Sequence, residues 1–140
     1  MVDPSHDIDP AKVAVVIPTL NERNYIADTL SQIIEQDSIA ARCPVVVADG
    51  GSTDGTQDVV TDLCLRHHNL RLIHYPDRIQ AAALNMLLSD TYADIEILVR
   101  CDAHARYPDG FVSRLVSTIQ DKDVASVVIP MDAEAGTNCF

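Results

Sequence analysis

An acidic and an imidazole side chain stand two residues apart in Asp102-Ala103-His104. Residues so spaced in an extended segment project to the same side, so carboxylate and imidazole would face one point, with Cys101 and Ala103 turned away. One oxygen and one nitrogen ligand suit Mn²⁺ or Mg²⁺ whose other positions are filled by phosphate oxygens and water. Asp102 and His104 are therefore the candidate metal ligands. Alone, the pair would also fit a solvated turn with a chance histidine; its place after an apolar segment strengthens the metal reading.

A second cluster is Asp49-Gly50-Gly51-Ser52-Thr53-Asp54-Gly55-Thr56. The glycine pair lets the backbone turn sharply and approach a ligand. Ser52, Thr53 or Asp54 would cap a following helix. Capping does not account for Asp49, which precedes the turn and would accept from an N–H donor such as the imide of uracil. The spacing is neither G-x-G-x-x-G nor a Gly-Lys-Ser/Thr phosphate loop. A third cluster, Pro18-Thr19-Leu20-Asn21-Glu22, supplies further nucleotide-binding candidates in Pro18, Thr19, Asn21 and Glu22. Arg78 would reach a diphosphate, or is an ordinary solvated arginine. His67 and His68 suit the end of a helix.

These residues need elements to carry them. Val13–Ile17 is a continuous apolar, largely β-branched run ended by Pro18, the pattern of a strand buried on both faces. Val45–Ala48, Leu70–His74, Ile95–Val99 and Ala125–Ile129 read as further strands. Between them, Ile26/Leu30/Ile33/Ile34, Val59/Val60/Leu63/Cys64, Leu84/Leu87/Leu88 and Val112/Leu115/Val116/Ile119 fall at helical spacing. Asn24 is the expected N-cap of the first helix, and Pro108-Asp109-Gly110 a turn before the fourth. Alternating strands and helices predict an α/β fold, a three-layer α/β/α sandwich on a mostly parallel sheet. In such a sheet ligands bind beyond the strands' carboxyl ends, where all three polar clusters fall.

Composition bounds the rest. The 140 residues suffice for one domain and carry a formal net charge of −11. That charge excludes a nucleic-acid footprint and disfavours an anionic membrane surface, yet admits a nucleotide screened by a divalent cation. Cys43, Cys64, Cys101 and Cys139 show no C-x-x-C spacing and read as reduced thiols of a cytoplasmic protein. No apolar run approaches the roughly 20 residues of a bilayer span. Residues 1–11 read as a disordered arm, 12–130 as the binding domain and 131–140 as a truncated tail.

Val-Val-Ile-Pro-Thr-Leu-Asn-Glu (15–22), Asp-Gly-Gly-Ser-Thr-Asp-Gly-Thr (49–56) and Arg-Cys-Asp-Ala-His-Ala (100–105) together resemble the family 2 glycosyltransferases of the nucleotide-diphospho-sugar (GT-A) fold. The Asp-Ala-His form looks like the branch that builds bacterial exopolysaccharides of the succinoglycan type. The resemblance implies inverting transfer from a UDP-sugar donor to a saccharide or lipid-linked acceptor. It places Asp49 on uracil, wraps Pro18–Glu22 around the nucleoside, and puts Asp102 on ribose or metal. The family's second metal-binding acid is His104 here. The general base matches nothing up to Phe140 and is expected later in the whole enzyme, whose membrane helices would attach it to the cytoplasmic face of the inner membrane. A nucleotidyltransferase would want a basic Gly-rich loop after the first strand; a non-catalytic nucleotide-binding module is the other alternative.

Overall fold

The computed structural model describes residues 8–74 and 94–122. Four strands form one all-parallel sheet: β1 (Val13–Thr19), β2 (Val45–Asp49), β3 (Leu70–His74) and β4 (Ile97–Arg100). Their spatial order is β3-β2-β1-β4. From β1 the chain steps outward twice, then returns to pair β4 on the other side of β1. The crevice between the carboxyl ends of β1 and β4 is therefore the topological switch point, where such sheets take ligands.

β1 is the central strand because its side chains tolerate burial on both faces. Val13, Val15 and Ile17 face one side with Val45 and Val47, while Val16 packs with Val46 on the other. All of these are without solvent exposure. Fully burying each side chain is worth about 1.5–3 kcal/mol. The first face is covered by α1 (Ile26–Glu35), α2 (Thr56–Cys64) and α3 (Phe111–Lys122). In α1 the buried stripe is Ile26, Leu30, Ile33 and Ile34, the expected period, joined by Thr29. Asp37, just past α1, accepts from the Ile39 and Ala40 amides at 2.9 and 3.0 Å and from the Ser113 amide at 2.9 Å, pinning the first turn of α3.

Three expectations change. β1 runs through Pro18 to Thr19. The amides of even-numbered β1 residues face β4, whose pairing ends at Val16↔Arg100, so the missing Pro18 N–H leaves no ladder bond unmade. Asn24 does not cap α1; Tyr25 is the N-cap residue and makes no side-chain cap bond. The Glu22 carbonyl instead accepts from the Tyr25 and Ile26 amides at 3.0 and 2.9 Å. Within the arm read over residues 1–11, Ile8 packs against the core and Asp9 caps a 3₁₀ turn at Pro10–Lys12. The helix near Ile79–Leu88, the strand Ala125–Ile129, the tail 131–140 and Arg78 lie outside the described residues.

Candidate functional site

Asp49 ends β2 with no solvent exposure. Its Oδ1 accepts from Thr19 Oγ1 at 2.9 Å and from the Ser52 hydroxyl. Its Oδ2 accepts from the amides of Gly51 and Ser52 at 3.0 and 2.9 Å and from Gln57 Nε2 at 2.8 Å. Burial pushes this carboxyl up, but the hydrogen bonds from Ser52, Gln57 and Gly51 outweigh it and leave it below the ordinary aspartate value. An imide would reach Asp49 only if Gln57 or Ser52 released it.

The loops after β1 and β2 are stitched together. The Asn21 amide donates to Ser52 Oγ at 2.8 Å, and Asn21 Oδ1 accepts from the Thr53 amide at 2.8 Å. Asn21 sits at φ 55°, a left-handed conformation that asparagine tolerates better than most residues. The Glu22 amide donates to Thr56 Oγ1 at 2.9 Å, and that hydroxyl donates to Asp54. Arg23 binds Asp54 through its amide, at 3.2 Å, and through Nη1 to the Asp54 carbonyl, also at 3.2 Å. Asp54 also accepts from the Thr56 amide at 3.0 Å, so of the capping candidates it is the one that bonds the first turn of α2. Asn21 therefore holds the loop frame through its amide and its side chain, and Glu22 through its main chain, leaving the Glu22 carboxylate to point elsewhere.

It points to His104: Glu22 Oε1 lies 3.1 Å from His104 Nδ1. The loop after β4 alternates as its spacing predicts, with Cys101 and Ala103 buried and Asp102 and His104 exposed. The Ala103 carbonyl accepts from Thr29 Oγ1 at 2.6 Å, and the Asp102 amide donates to Tyr107 Oη at 2.7 Å. Asp102 Oδ1 is 3.8 Å from Arg100 Nη2, a loose exposed ion pair. The ring of Tyr25 stands edge-on to His104, centroids 6.4 Å apart.

The carboxyl ends of β1, β2 and β4 and the loops after them thus carry Thr19, Asn21, Glu22, Asp49, Asp102 and His104. Pro18 stays in β1, half-buried. Sequence reasoning passed over Gln57, Tyr107, Thr29 and Tyr25. Gln57 is eight residues from Asp49 and Thr29 is 74 from Ala103, separations that only the fold closes. Among the described residues no three His, Cys, Asp or Glu side chains converge as a ready metal cage. Asp102 and His104 amount to a partial donor set, one that fits a cation completing its sphere with phosphate oxygens and water.

A parallel sheet with polar strand ends at its switch point defines an α/β domain that binds ligands across its carboxyl edge. Residues 14–138 match glycosyl transferase family 2, and the chain belongs to that family. It is 35 % identical over 127 residues to the succinoglycan biosynthesis protein ExoA of Rhizobium meliloti (strain 1021), covering 91 % of this chain and 38 % of that protein. Among solved structures it is similar to the mannosyltransferase PcManGT from Pyrobaculum calidifontis in complex with GDP-Man and Mn²⁺: TM-score 0.67, 35 % identity, 79 % of this chain and 34 % of that one. S. aureus TarS 1-349 in complex with UDP-GlcNAc shares the fold at TM-score 0.63 and 20 % identity, over 86 % of this chain and 37 % of that one. The chain therefore spans little more than a third of the length of these relatives.

Proposed function

We propose that this chain forms the donor side of an inverting glycosyltransferase that moves sugar from a UDP-sugar to a growing polysaccharide or lipid-linked saccharide. Membership of family 2 and the likeness to ExoA support the exopolysaccharide setting. The observation that carries the reading is the contact of Glu22 with His104 across the β1 and β4 ends of a parallel sheet, with Asp102 in the same loop and Asp49 at the neighbouring end of β2. In this reading Asp49 keeps the β2 loop in shape and selects a base with a ring N–H. Uracil and guanine have one and adenine does not. Uracil is our proposal, and the GDP-Man complex of PcManGT makes guanine the competing outcome. Asp102 and His104 Nε2 would hold a divalent cation, Mn²⁺ or Mg²⁺. A cation bound there supplies positive charge to the leaving diphosphate. The carboxylate that deprotonates the acceptor hydroxyl belongs to parts of the family outside these motifs.

Isothermal calorimetry with UDP, GDP and ADP, each with Mn²⁺ and with chelator, tests this. UDP should bind in the presence of Mn²⁺, at least tenfold tighter than ADP, and lose affinity with chelator; one lost charge-assisted hydrogen bond of about 1.5–3 kcal/mol accounts for that ratio. Equal affinity for all three nucleotides would sink the donor-site reading. A clear preference for GDP would replace uracil by guanine.

A further inference from the structure

The contact between Glu22 and His104 joins the two loops flanking the switch point, and its geometry constrains more than position. Glu22 Oε1 lies 3.1 Å from Nδ1, the ring nitrogen nearer the backbone. The Glu22 side chain is 19 % exposed and that of His104 42 %, so the carboxylate is the sheltered partner. Both are held from behind. The Glu22 amide donates to Thr56 Oγ1, and its carbonyl accepts from the first turn of α1. The residue before His104 is buried, and its carbonyl accepts from Thr29. Tyr25 adds an edge-on ring contact. The Glu22 carboxylate and the Tyr25 ring together orient the imidazole.

An ionised carboxylate only accepts hydrogen bonds. In the neutral ring the hydrogen must then sit on Nδ1, and Nε2 keeps its lone pair. We propose that Glu22 is a positioning residue: it fixes the Nδ1–H tautomer of His104, so that Nε2 faces the switch point as the nitrogen ligand of the site. This rests on the donor-site reading above and reassigns Glu22, which the sequence places on the nucleoside, to the imidazole. A carboxylate behind a ligating histidine sets the tautomer and raises the basicity of the ligand, and removing such a partner costs about 10–100-fold in metal affinity.

The test is long-range ¹H–¹⁵N correlation of the histidine rings of the 140-residue chain, at a pH of about 8 where an ordinary imidazole is neutral. His104→Gln assigns the signal. Wild type should show Nδ1 protonated and Nε2 bare; Glu22→Gln, whose amide can accept from or donate to Nδ1, should show a mixture of the two tautomers. Glu22→Ala should revert toward the Nε2–H form that a free ring prefers. Mn²⁺ is then titrated alone, and its paramagnetic broadening of the His104 ring reads the approach of the ion however weak the binding. Glu22→Ala should need about tenfold or more Mn²⁺ for the same broadening, and Glu22→Gln an intermediate amount. An Nε2–H ring in the wild type, a tautomer unchanged in Glu22→Ala, or equal Mn²⁺ responses in all three proteins would each overturn the proposal. Absent nucleotide binding with these ring signatures intact would fall on the donor-site reading and leave the role of Glu22 supported.

Discussion

At the scale of single residues, Asp49 is the most heavily committed side chain in the site. Its two oxygens serve Thr19, Ser52, Gly51 and Gln57 together, so the β2 loop is folded around a negative charge. Replacing it by alanine removes the acceptor and strands donors in a buried place. Asp49→Ala should cost about 3 kcal/mol of folding stability at neutral pH, measured by urea denaturation. The pH dependence follows from the depressed carboxyl. A group held below its unfolded value of about 3.9 contributes stability above that pH and loses it as acid protonates the folded form. The gap between wild type and Asp49→Ala should therefore be constant from neutrality to about pH 5 and shrink below about pH 4. A gap that persists undiminished into acid would mean that the loop depends on shape at this position, not charge.

At the scale of elements, the two short connections that feed helices make a controlled comparison. Gly55 before α2 has φ 96° and Gly110 before α3 has φ 72°, both in the range that side chains avoid. A methyl at Gly55 would meet Arg23 Nη1 at 3.4 Å, whereas at Gly110 it would meet nothing within 4 Å. Gly110→Ala should then cost only backbone strain, about 1 kcal/mol, and leave nucleotide binding alone. Gly55→Ala should cost a similar amount, because a methyl there makes only an ordinary contact with the end of the flexible Arg23 side chain. Thermal unfolding checks both, and a loss at Gly55 well above that at Gly110 would show that the Arg23 contact with Asp54 is displaced. The elements themselves were legible. β3 keeps the expected bounds Leu70–His74 and the α1 stripe follows its periodicity, while β4 starts two residues later than the expected Ile95 and runs on to Arg100. What stayed hidden depends on neighbours. Pro18 continues β1 because β4 has already parted from it, and Asn24 yields to a cap made by the Glu22 carbonyl. The positions of Asp102 and His104 on one exposed side were readable from their spacing, but the Glu22 partner of His104 was not, since it lies 82 residues away.

At the scale of the whole molecule, 21 acidic residues against 10 Lys and Arg give a chain that repels itself. Such self-repulsion works against the compact state and is screened by salt, as the Debye length falls from about 30 Å at 0.01 M to about 10 Å at 0.1 M. The melting temperature should rise over that range of NaCl, and a flat or falling trend would show that local ion pairs such as Lys12–Glu96 outweigh the net charge. The same molecule carries its own clock for opening. Cys43 and Cys101 are buried in the main core, where desolvation foremost pushes each thiol up to about 12. At neutral pH neither offers a thiolate to a reagent while the sheet is closed. Alkylation at these two positions can proceed only through excursions that open the core between the sheet and its helices. Pulse-labelling followed by mass spectrometry would turn the core into a stopwatch that needs no introduced probe.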